Sequence, residues 1–314
     1  MDMPVICGEE EHVMKNTKRF IAVMLLVLLP LFCSITASAD SGPKPSVKVS
    51  FEGLSDELCY ATLLSANKST GPASVWDGTE ENARHNGNER YSRLPYGYEI
   101  WKAFVEYEDQ DGFYFLQEIW QVNETKELDW NYYPPNPFKV LLYFPESGRF
   151  LVSDTYERYA FDSYFSVELT GNEGTAENGN IRLYRSYDYG REAVSLVVRI
   201  IITIAIELVI AGLFGYRKRR QWMILVGVNT ATQIVLNVLL NVINYNSGHQ
   251  AFAVNYIIFE FFVIIIEAVI FRLFLCEDCS DKKMGRRAVI YALVANVVSL
   301  IGGIWLAEWI PGVF

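Results

Sequence analysis

The sequence predicts two folds in tandem: an all-β, sandwich-like domain with one short helix, followed by an all-α bundle of four transmembrane helices. Three observations predict it. Residues 40–192 carry 26 acidic and 14 basic side chains, a balance of −12 that accounts for the net −10 of the whole chain, and they hold 15 of its 19 tyrosines. The same stretch breaks into short β-prone runs punctuated by turn residues. Beyond it, residues 193–314 are mostly Ile, Val, Leu, Ala and Phe, in four runs each long enough to cross a bilayer at about 1.5 Å per residue.

The first element is a signal peptide over residues 1–39. Lys15, Lys18 and Arg19 precede an apolar run from Phe20 to Thr36, and Ala37-Ser38-Ala39 supplies the small-residue cleavage site. Glu9, Glu10 and Glu11 are out of place in a basic leader, which puts the expected start of translation at Met14. Export makes residues 40–190 an extracytoplasmic domain. Within it, Val47–Phe51 alternates as a strand and Tyr60–Ser65 reads as a second. Ser69-Thr70-Gly71-Pro72 opens a long polar loop reaching Asn88. Ile100, Trp101, Phe104 and Tyr107 share helical spacing over Glu99–Glu106. Asp109-Gln110-Asp111-Gly112 is a turn, and Phe113–Val122 is a β-prone run. Pro145-Glu146-Ser147-Gly148 joins Lys139–Phe144 to Arg149–Ser153 as a hairpin. Tyr159–Leu169 and Ile181–Arg185 complete the strands, with residues 170–180 as a flexible tip.

Several local signals carry chemistry and a plainer alternative. Asp109-x-Asp111-Gly112 has part of a calcium-loop pattern, but Tyr107 stands at the first ligand position and no Glu closes the loop, so a plain turn is expected. Tyr132, Tyr133 and the prolines of Asn131–Pro137 form either a stacking platform for sugar or peptide or a rigid crossover on a sheet. His85 has no nucleophile pattern around it. Cys59 reads as a small buried hydrophobe. Cys276-Glu277-Asp278-Cys279 is at best half a zinc site and is expected to be an inert reduced loop. No cofactor is expected. An acidic domain without a basic patch argues against nucleic acid.

The spans are placed at 193–215, 222–245, 252–275 and 288–310. Basic runs at Arg217–Arg220 and Lys282–Arg287 follow the first and third, so loops 216–221 and 276–287 are expected in the cytoplasm and the C-terminus outside, with Trp305 and Trp309 at the interface. Each span carries polar groups that hydrocarbon disfavours. Counted from the span centres, Glu207, Asn229, Glu267 and Asn296 fall roughly 4–7 Å to the cytoplasmic side of the midplane, on four helices. Arg199, Asn237 and Glu260 fall roughly 5–8 Å to the outer side, and Gln233 lies on the same stripe as Asn229, Asn237 and Asn241. The expected intramembrane polar core is therefore Arg199, Glu207, Asn229, Gln233, Asn237, Glu260, Glu267 and Asn296, with Arg199 available to pair with Glu260. Amides suit interhelical hydrogen bonding. Three carboxylates suit it less well, because a buried ionised carboxylate needs a partner.

The stretches Asp111-Gly112-Phe113-Tyr114-Phe115-Leu116-Gln117-Glu118, Tyr132-Tyr133-Pro134-Pro135-Asn136-Pro137-Phe138 and Tyr156-Glu157-Arg158-Tyr159-Ala160-Phe161-Asp162, with Ile204-Ala205-Ile206-Glu207 and Asn229-x-x-Thr232-Gln233, resemble an uncharacterised family of clostridia-like Gram-positive membrane proteins. The resemblance implies a bacterial cell envelope and carries no activity with it. The sequence leads to a non-enzymatic envelope protein. Its outer domain recognises an extracellular peptide, cell-wall material or another membrane protein, and its bundle contacts the lipid bilayer. A small transporter using Glu207, Glu260 and Glu267 for proton or cation coupling is the runner-up, and an intramembrane enzyme the third reading.

Overall fold

A computed structural model describes residues 42–83, 97–169, 180–275 and 282–309. The expected signal segment, His85, the tip at 170–179 and the Cys276–Cys279 pair lie outside the described residues. The chain divides into two compact units, one within Ala39–Tyr187 and one within Asp188–Phe314.

The first unit holds β1 (Ser46–Glu52), β2 (Tyr60–Ser65), β3 (Ser69–Thr70), β4 (Ala73–Ser74), α1 (Tyr98–Val105), β5 (Tyr114–Phe115), β6 (Trp120–Gln121), β7 (Glu127–Trp130), β8 (Phe138–Phe144), β9 (Arg149–Ser153), β10 (Asp162–Glu168), β11 (Asn180–Ile181) and β12 (Leu183–Arg185). One sheet runs β12-β10-β1-β7, with β1 and β10 parallel. The other runs β11-β9-β8-β2-β5, with β6 also paired to β2, and β3-β4 is a separate small ribbon. Alternation on β1 turns Val47, Val49 and Phe51 inward, where Leu128, Trp130, Phe165 and Val167 join them. They meet Ala61, Leu63, Val140, Leu142 and Leu151 of the second sheet in one core.

Strands β2 and β8 are buried on both faces, which is why they read as apolar runs rather than alternating ones. Their second face, carrying Tyr60, Leu64 and Leu141, packs on Trp101 and Phe104 of α1. The helix is thus a third layer. Burial of its two aromatic side chains stabilises the unit by about 2–3 kcal/mol each.

Three expectations change. Phe113–Val122 is two short strands, because Gln117 takes a left-handed φ of 63° and breaks the run. Its buried amide accepts from Trp101 Nε1 at 3.2 Å and donates to the Ser74 carbonyl at 3.1 Å and to Asn82 Oδ1 at 2.9 Å. Strand β7 was not expected, since Glu127 and Asp129 on its outer face hide the inward pair Leu128 and Trp130. Ile181–Arg185 is two strands in two sheets: Ile181 pairs with Ser153 and Leu183 with Val167, so the chain crosses between sheets at Arg182.

The second unit holds α2 (Tyr189–Leu213), α3 (Arg219–Phe274) and α4 (Lys282–Trp309). Asp188 caps α2 by accepting from the Arg191 amide at 2.8 Å. The helix ends in a Schellman turn at Gly215, with φ 76° and a Tyr216-to-Ala211 backbone bond of 3.1 Å. Two helices, Tyr189–Leu213 and Lys283–Gly303, are long and apolar enough to cross a membrane, rather than the four expected. The spans placed at 222–245 and 252–275 are parts of one helical run of 56 residues. The loop expected between them stays helical, and the change of direction falls on Gly248 (φ 81°, ψ 174°), a conformation open in practice to glycine alone. Residues at comparable distances from Gly248 touch, as Leu236 and Leu240 do with Phe259 and Val263, so α3 folds back on itself.

Gln117→Ala removes three hydrogen bonds and leaves buried partners unsatisfied. It is expected to lower the stability of the first unit by about 3 kcal/mol, read as an earlier urea midpoint of tryptophan fluorescence.

Candidate functional site

The polar side chains of the second unit gather in its interior. Glu207 and Asn229 are fully buried, and Glu267, Asn296, Gln233, Glu260 and Asn237 are at most 5% exposed. Arg199 is half-buried. Around them pack Ile210, Ala211, Leu225, Phe271, Ala288, Tyr291, Ala292 and Ala295. The alanines allow close approach of helices, which brings short polar side chains into contact.

Glu267 is the most fully partnered of the carboxylates. Thr232 Oγ1 lies 2.6 Å from its Oε1, and Asn296 Nδ2 donates to its Oε2 at 2.6 Å. One carboxyl group therefore ties the two arms of α3 to α4. Glu207 is held more loosely. Ser299 Oγ lies 3.4 Å from its Oε1, and the Tyr291 hydroxyl donates to its backbone carbonyl at 3.2 Å. The Asn229 amide lies beside the Tyr291 hydroxyl. Among the described residues no ion pair reaches Glu207, Glu260 or Glu267.

The outer group differs from expectation. Arg199 does not pair with Glu260. Its Nη2 donates to Asn241 Oδ1 at 3.3 Å, and its guanidinium lies 5.8 Å from the centre of the Phe252 ring. Glu260 instead faces Gln233 and Tyr256. Tyr256 lies within reach of both Arg199 and Glu260. Asn237 donates to the Gln233 backbone carbonyl at 2.9 Å and to its Oε1 at 3.3 Å. Arg199, Thr203, Gln233, Asn237, Phe252 and Tyr256 enclose a cavity of about 30 Å³, room for one water.

Sequence reasoning missed Tyr256 and Tyr291. The available signal was a hydroxyl one helical turn before Glu260, and another close before Asn296 on an otherwise apolar run. His249, expected on a loop, stands in the helical run with its ring 5.8 Å from that of Phe252.

In the first unit, the calcium-like turn is filled by a lysine. Lys139 is 4% exposed, and its Nζ donates to both Asp109 oxygens at 3.0 Å and to Asp111 Oδ2 at 2.5 Å. Asp109 also accepts from the Asp111 and Phe113 amides at 3.0 and 3.2 Å. Burial pulls the Lys139 pKa down, but hydrogen bonds and charge from the two aspartates outweigh it and hold it above the ordinary 10.5. Cys59 is buried in the sandwich core, and desolvation pushes its thiol up to about 12, an unreactive state.

Two outcomes follow from this chemistry. A raised lysine pKa contributes stability that is complete below 10.5 and lost as pH climbs through the raised value; alkaline unfolding of the first unit should therefore come earlier in Lys139→Met than in the parent, with the difference fading at the top of the titration. In the second unit, Glu267→Leu should lower thermal stability in detergent by about 2 kcal/mol, and Glu267→Gln, which keeps an acceptor, by less.

No protein-family model, curated protein or solved structure matches the chain.

Proposed function

We propose that the protein is a non-enzymatic bacterial cell-envelope protein, in which an extracytoplasmic recognition domain is joined to a polar-cored four-helix bundle in the plasma membrane. One observation carries the reading: the second unit is polar inside and apolar outside. Val194, Ile201, Val209, Leu213, Met223, Ile257, Phe261 and Ile301 are each at least 60% exposed, while Glu207, Asn229, Glu267 and Asn296 are at most 1% exposed. Water would reward the opposite arrangement. Lipid tolerates it, because apolar side chains face hydrocarbon and polar ones pair within. The apolar exterior continues along both arms of α3, through Val235, Val238 and Val242 and then Phe261, Ile265 and Leu273. With the two self-sufficient apolar helices, that makes four crossings. The basic runs Arg217–Arg220 and Lys282–Arg287 then take the cytoplasmic side.

Recognition by the first unit is supported by its exposed tyrosines. Tyr132, Tyr133, Tyr164 and Tyr184 are 39–53% exposed. Tyr132 and Tyr164, with Lys44, Lys48, Asp129 and Asn131, line an open groove of about 580 Å³. Rings beside hydrogen-bonding groups suit a peptide or a saccharide of cell-wall material. A small transporter is the second reading, favoured by the polar atoms of the bundle that lack partners.

The topology is checked by cysteine labelling of intact cells in a background lacking Cys276 and Cys279. A water-soluble maleimide is expected to modify Ser147→Cys directly and Arg219→Cys only after permeabilisation, and to leave Ile201→Cys unmodified. Direct labelling of Arg219→Cys, or labelling of Ile201→Cys, would sink the arrangement.

A further inference from the structure

We propose that the interior of the second unit contains a binding site for a small monovalent cation, with Na+ as the fitting ion, built from Glu207, Asn229 and Asn296. The site rests on the membrane-bundle reading and goes beyond it by naming an ion and its ligands. Seven contacts close a ring. Glu207 Oε1 meets Ser299 Oγ; Ser299 Oγ donates to the Asn296 carbonyl at 3.0 Å; Asn296 Nδ2 donates to Glu267. Glu267 meets Thr232 Oγ1, which lies 3.1 Å from the Asn229 carbonyl. The Asn229 amide lies beside Tyr291, whose hydroxyl donates back to the Glu207 carbonyl.

Among these buried side chains three oxygens are without hydrogen-bond partners: Glu207 Oε2, Asn229 Oδ1 and Asn296 Oδ1. Glu207 and Asn229 are fully buried and Asn296 is 1% exposed, so bulk water does not reach these atoms. The orientation of Asn296 is fixed chemically, because the atom facing a carboxylate and the Ala292 carbonyl must be the NH2 group, leaving oxygen as its free atom. The Asn229 NH2 faces the Tyr291 hydroxyl, which leaves Oδ1 as its free atom. One carboxylate oxygen and two amide oxygens therefore stand unpartnered, and orphaned acceptors at such depth carry a large penalty.

Oxygen donors select hard cations. One carboxylate and two neutral amides carry a single negative charge, which matches a monovalent ion better than a divalent one. Glu207 supplies the compensating charge. Glu267 has both oxygens occupied by protein donors and acts as a positioning residue that orients Asn296.

The test uses the full chain purified in detergent, equilibrated with radiolabelled Na+ in choline chloride. Saturable retention above a micelle blank is expected. So is a rise in melting temperature in NaCl over equimolar choline chloride, as for any ligand of the folded state. Glu207→Gln should lose both effects with helix content and elution volume unchanged. Glu146→Gln, on the exposed turn between β8 and β9 of the first unit, should keep both. Parent protein that retains no Na+ above the blank assigns the free atoms to buried water and overturns the cation site while leaving the membrane reading intact. Equal loss in Glu146→Gln overturns it as well. A chain that stays monodisperse without detergent overturns the reading on which the site rests.

Discussion

The Glu267 carboxyl stands 2.6 Å from Thr232 on one side and 2.6 Å from Asn296 on the other, at a depth where it is 1% exposed. The register of the second unit depends on that placement. Apolar helices surrounded by lipid gain little from sliding into one particular register, because a leucine is as comfortable against an acyl chain as against another leucine. A carboxyl group that must find donors is not indifferent, since each bond left unmade in a dry interior exposes an unsatisfied acceptor. Thr232, Glu267 and Asn296 thus fix how the two arms of α3 and helix α4 align. Ser299 and Tyr291 extend the same constraint to α2 through Glu207. The alanines at 288, 292 and 295 make that reach short enough for hydrogen bonding.

The first unit treats buried polarity in the opposite way. Gln117 bonds to three partners, and Lys139 has its ammonium between two aspartates. Such satisfied groups specify one packing and offer no free valence to a ligand. On the proposed reading a recognition surface lies on the outside, where Tyr132 and Tyr164 line the groove beside Lys44 and Lys48. Gln117 and Lys139 use their polar groups to lock a core, whereas Glu207, Asn229 and Asn296 leave some of theirs open.

Strands with clean punctuation were legible in the residues. The hairpin of β8 and β9 follows from Pro145–Gly148, and β1 from its alternation. What stayed hidden was local exchange of backbone for side-chain bonding. No propensity announces that Gln117 will adopt a left-handed φ, because the reason lies in Trp101, Ser74 and Asn82, all distant in sequence. Strand β7 was masked by acids on its solvent face. In the second unit, helical spacing was enough to place Glu207, Asn229, Glu267 and Asn296 on inward stripes. The partner of Arg199 was not legible, because depth counting gives height along the bundle but not azimuth, and the guanidinium reaches Asn241 rather than Glu260. The middle connection was misread for a related reason: polar residues 246–251 look like a loop, yet a helix can absorb a reversal at one glycine.

If the proposed membrane placement holds, that glycine bears on how the chain inserts. A straight helix of 56 residues would extend roughly 84 Å, nearly three times a hydrocarbon core of about 30 Å. Gly248 converts this rod into a hairpin without a connecting loop. On the proposed placement the segment that must pass between the second and third crossings shrinks to the short polar tip around Gly248, whose backbone is largely bonded within the helical run. The two arms, already joined by Thr232 and Glu267, form one hydrogen-bonded body with its carboxylates covered. Insertion of such a body as a single unit spares each arm from carrying Gln233, Glu260 or Glu267 across hydrocarbon alone, where each would meet lipid with no partner.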